Sequence, residues 1–130
     1  VYKRQGIDGQ PKTGKWAVDG ANIPVLRLAE MYLTRAECNF RLGSSVGATP
    51  NEDITAIRAR AGVGAPGVLT LEFILDERRR ELAFEGHRLH DLKRNKLDVD
   101  GFPYNADEMV FPIPRRETDI NENLDQNPGY

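Results

Sequence analysis

Residues 76–94 concentrate the side chains able to do acid–base or metal chemistry. Asp76-Glu77-Arg78-Arg79-Arg80-Glu81 is followed by Glu85, His87-Arg88 and His90-Asp91. Glu77, Glu81 and Glu85 recur at four-residue steps, which puts them on one face of a helix. Paired carboxylates can work as general acid and general base. One of the pair must then keep its proton, yet here each carboxylate has a guanidinium within helical reach, which holds it ionised. The stronger reading is a structural ion network of Glu77, Arg78, Glu81, Glu85, Arg88 and Asp91 that locks helix to helix. Arg78 and Arg88 are expected to pair with Glu81, Glu85 or Asp91 and so fix a kink at Gly86.

The remaining chemical candidates are weaker. His87 and His90 sit three apart, with Glu85 or Asp91 as conceivable further ligands, but no second ligand cluster completes a metal site. Both histidines read as ordinary packing or surface groups. Ser44 and Ser45 fall in a turn with no predictable relation to a base. Cys38 stands beside Glu37 on an amphipathic helix, where a thiolate is disfavoured. No glycine motif that cradles phosphate is present. Arg78-Arg79-Arg80 is a short basic run inside an acidic helix and makes a poor nucleic-acid patch. Trp16, Tyr104 and Tyr130 are aromatics in predicted loops; Trp16 and Tyr104 are the candidates for stacking on a ligand, although anchoring their loops to the helical body is the commoner role. No catalytic residue, metal ligand or cofactor site is expected.

The elements that must carry these residues are helical. Pro24 suits a first helical turn. Val25, Leu28, Ala29, Tyr32, Leu33, Ala36 and Phe40 follow at three- and four-residue steps, and Gly43 is a natural stop. Asn51 is the expected N-cap of a second helix, with Glu52 and Asp53 in its first turn and Ile54, Ile57 and Ala61 as its apolar stripe. The two helices read as an antiparallel hairpin. Thr70 opens a third helix, expected to run to about Glu85 with Leu71, Ile74, Leu75, Arg78 and Leu82 along one face. A short fourth helix spans His87 to Arg94, with Leu89 and Leu92 inward. Beyond Asn95 the periodicity is lost, apart from one extended piece, Val110-Phe111-Pro112-Ile113-Pro114. A structureless run of that length suits a tail lying along a larger body.

Composition narrows the class. The chain has 130 residues, 39% hydrophobic and 29% charged, with a net charge of -2. That balance fits one globular domain or part of one, and argues against disorder and against a nucleic-acid binder. No stretch approaches the ~18 apolar residues of a membrane helix. With a single cysteine, an intrachain disulfide and a multi-thiolate metal site are excluded. Residues 97–130 hold 2 basic and 8 acidic groups, read as a solvated acidic run. Val1-Tyr2-Lys3-Arg4-Gln5 resembles a translated transposon end, so residues 1–5 are expected to be a sequencing scar, residues 6–23 a loop, and residues 24–130 the domain proper.

Several ordered segments resemble the SusD/RagB family of outer-membrane nutrient-binding lipoproteins. They are Arg27-Leu28-Ala29-Glu30-Met31-Tyr32-Leu33 with Ala36-Glu37, and Ile57-Arg58-Ala59-Arg60-Ala61-Gly62. The most distinctive is Glu77-Arg78-Arg79-Arg80-Glu81-Leu82-Ala83-Phe84-Glu85-Gly86-His87-Arg88 with Asp91-Leu92-Lys93-Arg94. Pro112-Ile113-Pro114 with Glu117 and the ending Gln126-Asn127-Pro128-Gly129-Tyr130 complete the set. His90 stands where the family usually has an aromatic, and Asn121-Glu122-Asn123 departs from its usual lead into the tail. The resemblance implies a mostly α fold: a tetratricopeptide-like helical hairpin, further helices and a long irregular C-terminal tail, as the C-terminal part of a larger all-α SusD-like fold. It implies non-catalytic binding of glycans or other nutrients and delivery to a SusC-like TonB-dependent transporter. It also implies an outer-membrane, cell-surface location through a lipid anchor outside this chain. No ligand-contact residue carries over from it. The alternative is a helical-repeat module that binds a peptide or protein.

Overall fold

The computed structural model describes residues 3–5, 11–13, 15, 20, 22 and 25–130. Two compact units result, Val1–Arg88 and Leu89–Tyr130. In the first, two short strands, β1 (Lys3–Gln5) and β2 (Pro11–Thr13), pair antiparallel with Arg4 opposite Lys12. This pairing lies partly within the stretch read as loop. Three helices follow: α1 (Leu28–Leu42), α2 (Pro50–Arg60) and α3 (Leu71–Glu81). The fold is mostly helical, as the periodicity predicts, and α1 packs against both α2 and α3.

The core of this unit is small and aliphatic. Leu33, Ala36, Ile54, Ile57, Ile74 and Leu82 form one buried cluster, with Tyr32, Leu69 and Phe73 packed on it. The α1 stripe is narrower than expected. The helix starts at Leu28 rather than Pro24, which lies outside the described residues, and Val25 and Leu28 are exposed. Gly43 ends α1 at φ +61, and the Ser44 amide reaches back to the Asn39 carbonyl at 2.9 Å.

The second helix is capped two residues earlier than Asn51. Thr49 is the N-cap: its hydroxyl accepts from the Glu52 amide, the Glu52 carboxylate accepts from the Thr49 amide at 2.7 Å, and Pro50 follows at the first helical position. Thr-Pro-Asn-Glu is thus a capping box with proline at its entry, a stronger stop for the orphan amides than asparagine alone. At the other end α2 stops at Arg60, and Ala61 is exposed instead of completing the stripe. In the first turn of α2, Asp53 is buried alongside Ile54 and Ile57.

Thr70 caps α3, accepting from the Phe73 amide at 3.1 Å. The helix ends at Glu81, four residues short of the expected limit. Phe84 adopts φ +66, a left-handed conformation that a helix cannot continue through, and Gly86 follows at φ +79.

The second unit is built on α4 (Arg88–Arg94), which begins at its boundary and buries Leu92 with Leu89 half-buried. Most of residues 96–130 is irregular, but it holds a 3-10 turn (Asp107–Met109) and α5 (Arg115–Ile120). Pro114 precedes α5 at φ -53 and starts a helix too short to show a periodic pattern. No helix among the described residues is long and apolar enough to cross a membrane.

Candidate functional site

The carboxylates of the Asp76–Glu85 run are gathered by cations, mostly from distant elements. Arg27, just ahead of α1, donates from Nε to Glu85 Oε2 at 2.8 Å and from Nη2 to Glu81 Oε1 at 3.0 Å. Arg60, at the end of α2, reaches the same Glu81 oxygen at 2.6 Å. Lys15 donates to Glu85 Oε1 and to the main-chain carbonyls of Glu81 at 2.6 Å and Ala83 at 2.9 Å. These carbonyls lie at and just past the end of α3, where no further helical turn supplies amides. Arg27 Nη2 also donates to the Glu81 carbonyl at 3.2 Å, so two cations close α3 in place of a continuing helix, at the negative end of its dipole.

This arrangement sets the charge state. Burial pushes the Glu85 carboxyl up, but the bonds from Arg27 and Lys15 outweigh it and hold Glu85 below the usual carboxylate range. Burial likewise pulls Arg27 down, and Glu85 and Glu81 more than restore it, so its pKa is raised. Held ionised in this way, the Glu85 carboxylate carries no proton to donate as a general acid.

The other predicted members of the network fall as follows. Glu77 accepts from Arg58 at 2.5 Å and from Arg80 at 2.9 Å. Arg78, buried on α3, reaches Glu30 at 3.4 Å and Thr34 at 3.2 Å on α1. Asp91 pairs with Arg94 at 2.8 Å along α4. Arg88 is exposed and makes no ion pair among the described residues. Its three expected partners are engaged elsewhere: Glu81 by Arg27 and Arg60, Glu85 by Lys15 and Arg27, and Asp91 by Arg94. His87 lies 3.7 Å from Glu30, whereas His90 is exposed. Among the described residues no three His, Cys, Asp or Glu side chains group as a metal would require.

Two features of the first unit escaped sequence reasoning. Asn39, buried on α1, donates to the carbonyls of Val46 and Ala48 and accepts from Ser44 Oγ and the Val46 amide, so one amide organises the α1–α2 loop. Arg35 forks onto the buried Asp53 at 2.9 and 2.6 Å and lies 5.4 Å from the Tyr32 ring centroid. The only advance signal for these was a polar residue at a core-facing helical position. Beside them a groove of about 280 Å³ is lined by Arg27, Leu28, Ala29, Tyr32, Ile57 and Arg60, among others.

The stacking candidates divide. Trp16 lies outside the described residues, and Tyr104 is half-buried in the second unit. A different aromatic, Phe111, is 85% exposed. Its segment is held by the chain terminus through side chains alone. Gln126 accepts from the Ile113 amide at 2.7 Å and donates to the Ile113 carbonyl at 2.9 Å. Asn127 donates to the Phe111 carbonyl at 2.7 Å, and the Tyr130 hydroxyl to that of Val110 at 2.9 Å. The Gln126 amide thus stands in for a neighbouring strand residue.

Comparison with known proteins then decides the family. The SusD family model matches residues 1–109. This chain belongs to the SusD family. It is 36% identical to the starch-binding protein SusD of Bacteroides thetaiotaomicron, over 95% of this chain and 24% of that protein. A crystal structure of a candidate sugar-binding protein from Bacteroides vulgatus is 34% identical, with a TM-score of 0.73 over 86% of this chain and 31% of that one. The surface glycan-binding protein A of Bacteroides uniformis is 26% identical, with a TM-score of 0.55 over 78% of this chain and 26% of that one. The chain therefore spans about a quarter to a third of the length of these SusD-family relatives.

Proposed function

We propose that the chain belongs to a cell-surface protein that captures glycans without transforming them and passes them to a TonB-dependent outer-membrane transporter. The observation that carries this reading is the 36% identity to a starch-binding protein over 95% of the chain. The chemistry agrees with it: Glu85 is held ionised by Arg27 and Lys15, and every buried side-chain nitrogen or oxygen among the described residues has a hydrogen-bond partner. Such a site is a scaffold rather than a reaction centre. A lipid anchor outside this chain, on the outer face of the outer membrane, completes the reading, with a SusC-like transporter as partner.

The aliphatic groove beside Leu28, Ala29 and Ile57 favours one other reading, a helical-repeat module for a peptide. A glycan microarray and a random-peptide display library, probed with the same labelled chain, separate the two. Signal on glycan spots with no enriched peptide motif supports glycan capture. An enriched amphipathic peptide with silent glycan spots replaces it with the second reading.

A further inference from the structure

We propose that the turn closing α3 is a seat for a small monovalent cation, filled in this chain by the tethered ammonium of Lys15.

The oxygens converge on one point. Lys15 Nζ lies 2.6 Å from the Glu81 carbonyl, 2.9 Å from the Ala83 carbonyl and 2.5 Å from Glu85 Oε1. Three acceptors match the three donors of an ammonium. Among the described residues no main-chain amide donates to either carbonyl. The Glu85 amide turns back to the Leu82 carbonyl instead, at 3.2 Å. That turn includes Phe84 at φ +66, a backbone conformation that a bulky residue rarely adopts. Strain of this kind persists where the surrounding structure holds it. Here it accompanies two carbonyls and one carboxylate oxygen gathered on a single positive charge.

Charge and distance set the class of cation. Arg27 takes the second oxygen of Glu85 at 2.8 Å and shares the Glu81 carbonyl at 3.2 Å. Arg27 and Arg60 share Glu81 Oε1 at 3.0 and 2.6 Å. Two carboxylates already face two guanidiniums, so a divalent ion would add two uncompensated charges where an ammonium adds one. Three oxygens also fall short of the roughly six to eight that Ca2+ takes, and they stand too far off for Mg2+, which needs about 2.0–2.1 Å. Main-chain carbonyls replace the hydration shell of K+ in the same manner. The Lys15 and Glu85 side chains are 23% and 10% exposed, so the seat is largely shielded from water.

Thermal unfolding of the 130-residue chain and of K15A tests this, in the chlorides of choline, ammonium, potassium and calcium. One ionic strength throughout keeps screening constant. K15A should melt about 5 °C below the unsubstituted chain in choline chloride. Ammonium or potassium should restore at least half of that loss, because a ligand that binds only the folded state stabilises it. Neither should move the unsubstituted chain, whose seat is filled, or K15A/E85Q, which lacks the charged oxygen. If K15A is unfolded in choline chloride, ammonium or potassium should refold it, as read by circular dichroism. An unchanged melting temperature in K15A overturns the proposal, as does a loss that neither monovalent ion repairs. Recovery in calcium alone, or an equal rise in either control, overturns it as well.

Discussion

Arg27 Nε and Glu85 Oε2 meet at 2.8 Å across 58 positions of sequence. The contact ties the lead-in of α1 to the turn after α3, and Glu81 and Lys15 join it on either side. It holds three parts of the first unit together at the point where α3 runs out of its own hydrogen bonds.

Replacing Arg27 with methionine leaves Glu81 with Arg60 alone and Glu85 with Lys15 alone. Hydrogen bonds to charged groups are each worth about 1.5–3 kcal/mol, and partial solvent access trims that. R27M should cost about 2 kcal/mol and lower Tm by about 5 °C. R88M is the matched control. Arg88 is exposed, so its Tm should move by about a degree or less. Thermal unfolding followed by circular dichroism checks both.

Acid should unlock the same contact. Glu85 is depressed below its ordinary 4.5. A depressed carboxyl contributes stability that is present above the unfolded pKa and lost as pH falls through the folded one. Tm should therefore drop as pH is lowered below about 4.5, and the drop should be shallower in E85Q. Equal slopes in the two proteins would remove Glu85 from the account.

Gly47 should resist substitution more than Gly43. Both have positive φ, +78 and +61, but a Cβ on Gly47 would lie 2.8 Å from Arg35 Nη1, while one on Gly43 meets nothing within 4 Å. The backbone term alone costs about 1 kcal/mol at either site. G47A should exceed G43A, because it also displaces the guanidinium seated on Asp53. In an R35A background that excess should vanish, which a double-mutant cycle in urea measures.

Removing the strand mimic should loosen one segment and leave the rest intact. Q126A takes away both bonds to Ile113. Hydrogen exchange at the Ile113 amide should speed up by about tenfold or more, while the amides of α1 keep their protection.

The elements were legible where a short-range rule governs them. The α1 stripe through Leu33 and Ala36, the Gly43 stop and the Thr70 cap all follow from spacing within one or two turns. So did the charged character of the α3 end. Its partners were not legible, because Lys15 and Arg27 lie far off in sequence and only the packing of α1 on α3 delivers them. The same reason hid the early end of α3: local propensity favours a helix through Phe84, and the cations on the Glu81 and Ala83 carbonyls stabilise the alternative. The Gln126 mimicry had no pattern to betray it, since a lone amide serving as a strand leaves no periodicity.

The most direct measurement is native electrophoresis of the chain through gels cast with soluble polysaccharides, paired with a reducing-end assay on the same mixtures. Glycan capture without chemistry predicts slowed migration in at least one gel and no new reducing ends after prolonged incubation. Unchanged migration in every gel would contradict it, as would reducing ends that accumulate with time and disappear in E81Q or E85Q.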